Sequence, residues 1–150
     1  MADNTQALAT LLERETTERD NLLSALQQAQ ARAQTARQQA EQLVVYRDDY
    51  HKRWSSQFRT AGTMDIVRCY QDFAQRLEEA IAQQARVATH AETQVQRARE
   101  ALTAQEIRVA SVRKLIERRQ AEALLAAERR DQKQTDEAAS RAAWRPATAG

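Results

Sequence analysis

A stripe of positions runs along the first third of the chain in alternating steps of four and three: Leu8, Leu12, Glu15, Arg19, Leu22, Leu26, Ala29, Ala33, Ala36, Ala40 and Leu43. All but Glu15 and Arg19 are apolar, and the mean step is that of a coiled-coil seam, whereas a strand would alternate every second residue. Asp3 followed by Gln6 has the spacing of a capping box, and neither Gly nor Pro intervenes before Gly62, so the pattern predicts a first helix over about residues 5–58. Ser55-Ser56 and Thr60-Ala61-Gly62-Thr63 form the internal breaker cluster. They predict a turn at about 59–63, with Gly62 as a left-handed residue closing the helix. The step then resumes through Phe73, Leu77, Ile81, Gln84, Ala88, Ala91, Val95, Ala98, Leu102, Gln105, Val109, Val112 and Ile116. A second helix is predicted from about 64, with Thr63 or Asp65 as N-cap, to about 142, and a frayed tail over 143–150.

Two heptad helices joined by a short turn bury their stripes by folding back on each other. The expected fold is all-α: one domain, a long antiparallel two-helix coiled-coil hairpin with a C-terminal helical overhang. With the turn centred near residue 61, facing residue numbers sum to about 122, which sets residue 5 against about 116 and leaves about 25 residues of helix two without an intramolecular partner. The same register lays Ala29, Ala33, Ala36 and Ala40 opposite the stretch around Ala82, Ala85, Ala88 and Ala91. Alanine seams let helices approach but bury little area, so this middle is expected to be thin, with better packing at the open end and the turn end. Glu15, Arg19, Gln84 and Gln105 on the seam are expected to fix register at a cost in stability.

Composition agrees with the pattern. Of 150 residues 30 are alanine and 19 glutamine, with only 2 Gly and 1 Pro, and aromatics make up 5%. Such a chain cannot fill a wide globular core. The 23 basic and 21 acidic residues alternate along it and leave a net charge of +2, which is no nucleic-acid footprint. The longest uninterrupted apolar stretch is Ala123 to Ala127, and the first residues lack both a basic region and an apolar core, so no membrane span or signal peptide is expected. The single cysteine, Cys69, has no internal disulfide partner and suits a reducing compartment.

Catalysis needs groups converging in a concave, water-excluding site, which a helical hairpin does not offer; no enzyme activity and no cofactor is expected. Asp48, Asp49 and His51 share one helical turn, too few ligands for a metal site, and read as a solvated face. His90 and Cys69 read as packing or surface residues.

Two features stand out. Tyr46, Tyr50, Trp54, Phe58, Tyr70 and Phe73 hold every aromatic except Trp144 and flank the turn. Gln39, Leu43, Tyr46 and Tyr50 on helix one, and Phe73, Leu77, Ala80 and Gln84 on helix two, follow matching steps that the register sets side by side. One seam cannot absorb them together with Val44, Ile66 and Ile81, so part of this apolar face is expected to stay exposed and is read as anchors for a partner, the alternative being a cluster that only stabilises the turn end. The second feature is the overhang from Glu117 to Ala143, flanked by Leu115 and Ile116 and carrying Leu124 and Leu125 among dense mixed charge. A lone helix has little to keep it regular, so it is read as a docking arm. The alternative is a solvated helix held by pairs such as Glu128 with Lys133.

The run LVVYRDDY before the turn, CYQDFAQRLEEAI after it, and the C-terminal LLAAERRDQKQTDEAASRAA, on a heptad hairpin of this length, together resemble the FliJ family of flagellar type III export proteins. The resemblance spans nearly the whole chain. It implies a coiled coil similar to the central stalk of rotary ATPases, seated in the hexameric export ATPase with its termini toward the ring, and an escort of export chaperones. It implies that Gln39, Leu43, Tyr46, Tyr50, Phe73, Leu77, Ala80 and Gln84 engage the linker and cytoplasmic part of the membrane export-gate protein, Gln84 standing where the family also has histidine. Ring docking would fall to Leu124, Leu125, Arg129, Arg130, Asp131, Gln132, Lys133, Asp136, Glu137 and Arg141. The implied location is the cytoplasm, peripheral to the inner membrane at the flagellar base. Rival readings are the equivalent stalk of a virulence injectisome, a nucleic-acid or anionic-membrane binder prompted by 20 arginines, and a self-assembling coiled-coil scaffold.

Overall fold

A computed structural model describes the backbone of residues 2–144, and the side chains within that range except those of residues 2–3 and 58–61. It holds two long helices that pack against each other as a hairpin, α1 (Ala2–Ala61) and α2 (Met64–Ala143). Among the described residues only Gly62, Thr63 and Trp144 lie outside a helix, and no strand is present. The uninterrupted stretches of good helix formers explain this length: with no Gly or Pro inside either run, nothing breaks the ladder. Asp3, expected at the cap, lies inside α1.

The turn is tighter than the sequence suggests. Thr63 stands just ahead of α2, and its carbonyl accepts the first helical hydrogen bond from the Val67 amide at 3.0 Å, as an N-cap residue does. Asp65 falls in the first turn of α2, where its charge complements the helix dipole. The left-handed role expected of Gly62 is not taken up, for no glycine among the described residues has positive φ. Helix α1 runs to Ala61 and Thr63 already caps α2, so no separate closing motif fits between them.

Contacts divide the chain into two compact units, one of Glu18–Gln105 and the other of Met1–Thr17 with Glu106–Gly150. In the Glu18–Gln105 unit, Leu26, Ala33, Val95 and Leu102 form a core cluster, with Leu22, Ala29, Ala91 and Ala98 packed against it. The heptad stripes are the buried stripes: from Arg19 to Leu43 and from Leu77 to Gln105 every seam position is buried or half-buried. The expectation of a thin alanine middle needs correcting. Val95 and Ala33 are only 2% and 4% exposed, among the best-covered residues of the chain, while Ala82 and Ala85 are exposed. Val95 and Leu102 share this cluster with Leu22 and Leu26, and each contributes up to about 1.5–3 kcal/mol by burial.

Polar ties across this unit match the expected register. Gln84 Nε2 donates to the Ala36 carbonyl at 3.3 Å and to Gln39 Oε1 at 3.2 Å. Arg47 Nη1 reaches Glu78 at 3.3 Å and Arg37 Nη2 reaches Glu92 at 3.2 Å. These ion pairs are solvent-exposed and align the helices more than they stabilise them. No buried side-chain polar atom among the described residues lacks a partner.

In the other unit Val109 is buried, and Leu8, Leu12, Val112 and Ile116 are half-buried. A groove lies between Asn4, Thr5 and Leu8 on α1 and Arg119, Glu122, Ala123 and Ala126 on α2. Ile116 is the last half-buried position of the seam, and beyond it α2 from Glu117 to Ala126 stays exposed while lining this open groove. From Glu117 to Trp144 every residue except half-buried Ala127 is exposed.

Candidate functional site

Helix α1 delivers Tyr46, Tyr50 and Trp54 at a spacing of four, one above the other; α2 delivers Tyr70 and Phe73 three apart. Tyr50 is the hub of the resulting ring cluster. Its centroid lies 4.6 Å from Phe73, 5.4 Å from Tyr70, 5.8 Å from Trp54 and 6.4 Å from Tyr46. Trp54 and Tyr70 meet at 5.6 Å, so the set closes on itself. Tilted and offset pairs at such distances are worth about 0.5–1.5 kcal/mol each beyond their area. His51 Nδ1 hydrogen-bonds the Tyr70 hydroxyl, and its ring meets Tyr70 edge-on at 5.8 Å.

The cluster has a covered side and an open one. Tyr50, Trp54, Tyr70 and His51 are half-buried, whereas Tyr46 is 52% and Phe73 39% exposed. Beside Tyr46, Val45 is exposed too, and both line a shallow groove on α1 with Gln38, Glu41, Gln42 and Asp49. Burial pushes the Tyr50 phenol above its ordinary 10.0, the neighbouring Tyr46 and Tyr70 add to the rise, and a hydrogen bond with the Trp54 side chain opposes it. Arg47 is held above its ordinary range chiefly by its hydrogen bond to Asp48, against the effect of burial.

Of the eight residues assigned to this face from sequence, the structure joins Gln39 to Gln84 and Tyr50 to Phe73 across the helices. Gln39, Tyr46 and Phe73 are exposed; Leu43, Tyr50, Ala80 and Gln84 are half-buried. Leu77, at 7%, is a buried seam residue that supports the face from beneath. Phe58 has its side chain outside the described residues. Sequence reasoning left Trp54, Tyr70 and His51 off the face, although continuing the helix step from Tyr50 to Trp54, and back from Phe73 to Tyr70, reaches two of them.

The Asp48, Asp49 and His51 turn is occupied otherwise: Asp48 accepts from Arg47 Nε at 3.3 Å and His51 is tied to Tyr70. No group of three or more His, Cys, Asp or Glu among the described residues could hold a metal ion. Cys69 is an exposed free thiol.

The distal part of α2 is built differently. Leu124, Leu125, Arg129, Arg130, Asp131, Gln132, Lys133, Asp136, Glu137 and Arg141 are all exposed. Here the contacts are local: Gln132 Nε2 donates to Asp136 Oδ1 at 3.2 Å, and the Thr135 hydroxyl to the Asp131 carbonyl at 2.9 Å. The Glu128–Lys133 pair is not formed, nor is any ion pair among the described residues of this segment.

Comparison with known proteins gives one consistent answer. The family model described as "Flagellar FliJ protein" matches residues 4–148. The chain is 32% identical over 139 residues to the flagellar FliJ protein of Escherichia coli K12, covering 93% of this chain and 95% of that one. The flagellar FliJ protein of Salmonella typhi matches with the same identity and coverage.

Proposed function

The chain belongs to the flagellar FliJ family, and on that premise we propose that it is a non-enzymatic component of flagellar protein export that works by presenting two docking faces on one helical hairpin. The ring-rich face near the turn engages the linker and cytoplasmic part of the membrane export gate. The distal helix docks in the hexameric export ATPase as its central stalk, and the protein also escorts export chaperones. No cofactor takes part. The working location is the cytoplasm, at the inner membrane beneath the flagellum; no described helix is long and apolar enough to cross a membrane.

The observation that supports this reading best is the exposure of Tyr46 and Phe73 on either side of a half-buried Tyr50. Large rings held in place yet left in solvent are the side chains that serve as interface anchors. The regular but uncovered segment from Glu128 onward supports the second face. A pull-down of the full chain against the purified export ATPase and, separately, the gate's cytoplasmic part tests both. Capture of each is expected, with Tyr46→Ala lowering only gate capture; capture of neither would refute the proposal.

A further inference from the structure

We infer that Tyr70 and His51 are positioning residues for the aromatic face: their hydrogen bond fixes the Tyr70 ring, which holds Tyr50 and so sets Tyr46 and Phe73 in place before a partner arrives. The inference rests on the docking role proposed above for this face.

The geometry runs in one line. Tyr70 packs on Tyr50 at 5.4 Å with their planes only 18° apart, and on Trp54 at 5.6 Å. Tyr50 in turn is the ring that touches both exposed anchors, Phe73 at 4.6 Å and Tyr46 at 6.4 Å. A tyrosine ring on an exposed helix end turns freely about two side-chain bonds, and a partner must arrest that motion on binding. The His51 bond arrests Tyr70 beforehand from the other helix, since His51 belongs to α1 and Tyr70 to α2. Neither residue stands at the open edge of the face: both are half-buried while the anchors are exposed. Their effect on a partner is therefore transmitted through Tyr50.

The test uses Tyr70→Phe, which keeps the ring and deletes the hydroxyl, His51→Phe, which keeps an edge contact and deletes the ring nitrogen, and the double variant. All are made in the full chain on a Trp144→Phe background, which leaves Trp54 as its indole. Near-ultraviolet circular dichroism of the free protein reads ring order; calorimetry with the gate's cytoplasmic part reads affinity. Each single variant is expected to lose ring ellipticity and to bind about three- to tenfold more weakly, with the double no worse than either single, because both act through one bond. Thermal midpoints close to the parent's would separate positioning from unfolding. Unchanged affinity in both singles, alongside weakened binding by Tyr46→Ala, would overturn the positioning role. Unchanged affinity in Tyr46→Ala and Phe73→Ala would overturn the docking reading instead. In that case unaltered ellipticity in Tyr70→Phe would still overturn the ring network.

Discussion

The helix ends flanking the turn and the distal stretch of α2 both leave large apolar side chains in solvent, yet they are built on opposite principles. Near the turn, exposed Tyr46 and Phe73 are held by Tyr50, and each helix supplies rings to the other. In the distal stretch Leu124, Leu125 and Trp144 are exposed, and the side-chain hydrogen bonds of Gln132 and Thr135 stay within their own helix. The first face has met its ordering cost during folding. The second is an extension of α2 held by helix propensity and local hydrogen bonds, with nothing among the described residues packed across it.

The largest effect should come from removing the distal segment. Truncation after Ala127 deletes residues that cover nothing, so denaturant midpoint and gate binding should stay as in the full chain while capture by the export ATPase disappears. Retained capture would show that the distal stretch is not the docking arm.

Loosening the paired region should act the other way. Leu102→Ala removes a leucine from the core cluster that also holds Leu22, Leu26 and Val95 and should cost about 2–3 kcal/mol, at the low end for a buried leucine because a two-helix seam leaves one side of the site near solvent. Urea unfolding followed by circular dichroism reads this loss. A cost under about 0.5 kcal/mol would mean that the alanine-lined middle is as thin as its composition suggests.

That middle shows how far the sequence could be read. The hairpin and its seam were legible because a 3.5-residue period specifies both helix and contact stripe, and the positions from Arg19 to Leu43 follow it without a slip. Burial within the stripe was not, because how fully Ala33 and Ala36 are covered depends on both helices at once. The end of pairing was legible from the register: Ile116 is the last half-buried seam position, and beyond it α2 only lines an open groove with Asn4, Thr5 and Leu8. At the aromatic end, period placed Tyr46, Tyr50 and Phe73 together. The His51–Tyr70 bond escaped it, since it depends on register to within a side chain's width.

A smaller effect separates the two regions by pH. Burial raises the Tyr50 phenol, so the folded state favours its neutral form. Its contribution is fully present below the unfolded value near 10 and is lost as pH rises through the higher folded value. Thermal midpoints should therefore fall more steeply above pH 10 in the parent than in Tyr50→Phe. Identical slopes would place Tyr50 in solvent.

The central claim, that the ring face is a preformed docking surface, is tested most directly by the gate affinity of Tyr46→Ala/Phe73→Ala. Each substitution removes a partly exposed ring and should cost about 1–2 kcal/mol of stability, less than a full core truncation. The double variant is expected to stay helical and to bind the export ATPase while losing the gate interaction. Parental gate affinity in that folded double variant would contradict it, leaving the aromatic cluster as a device that only secures the turn.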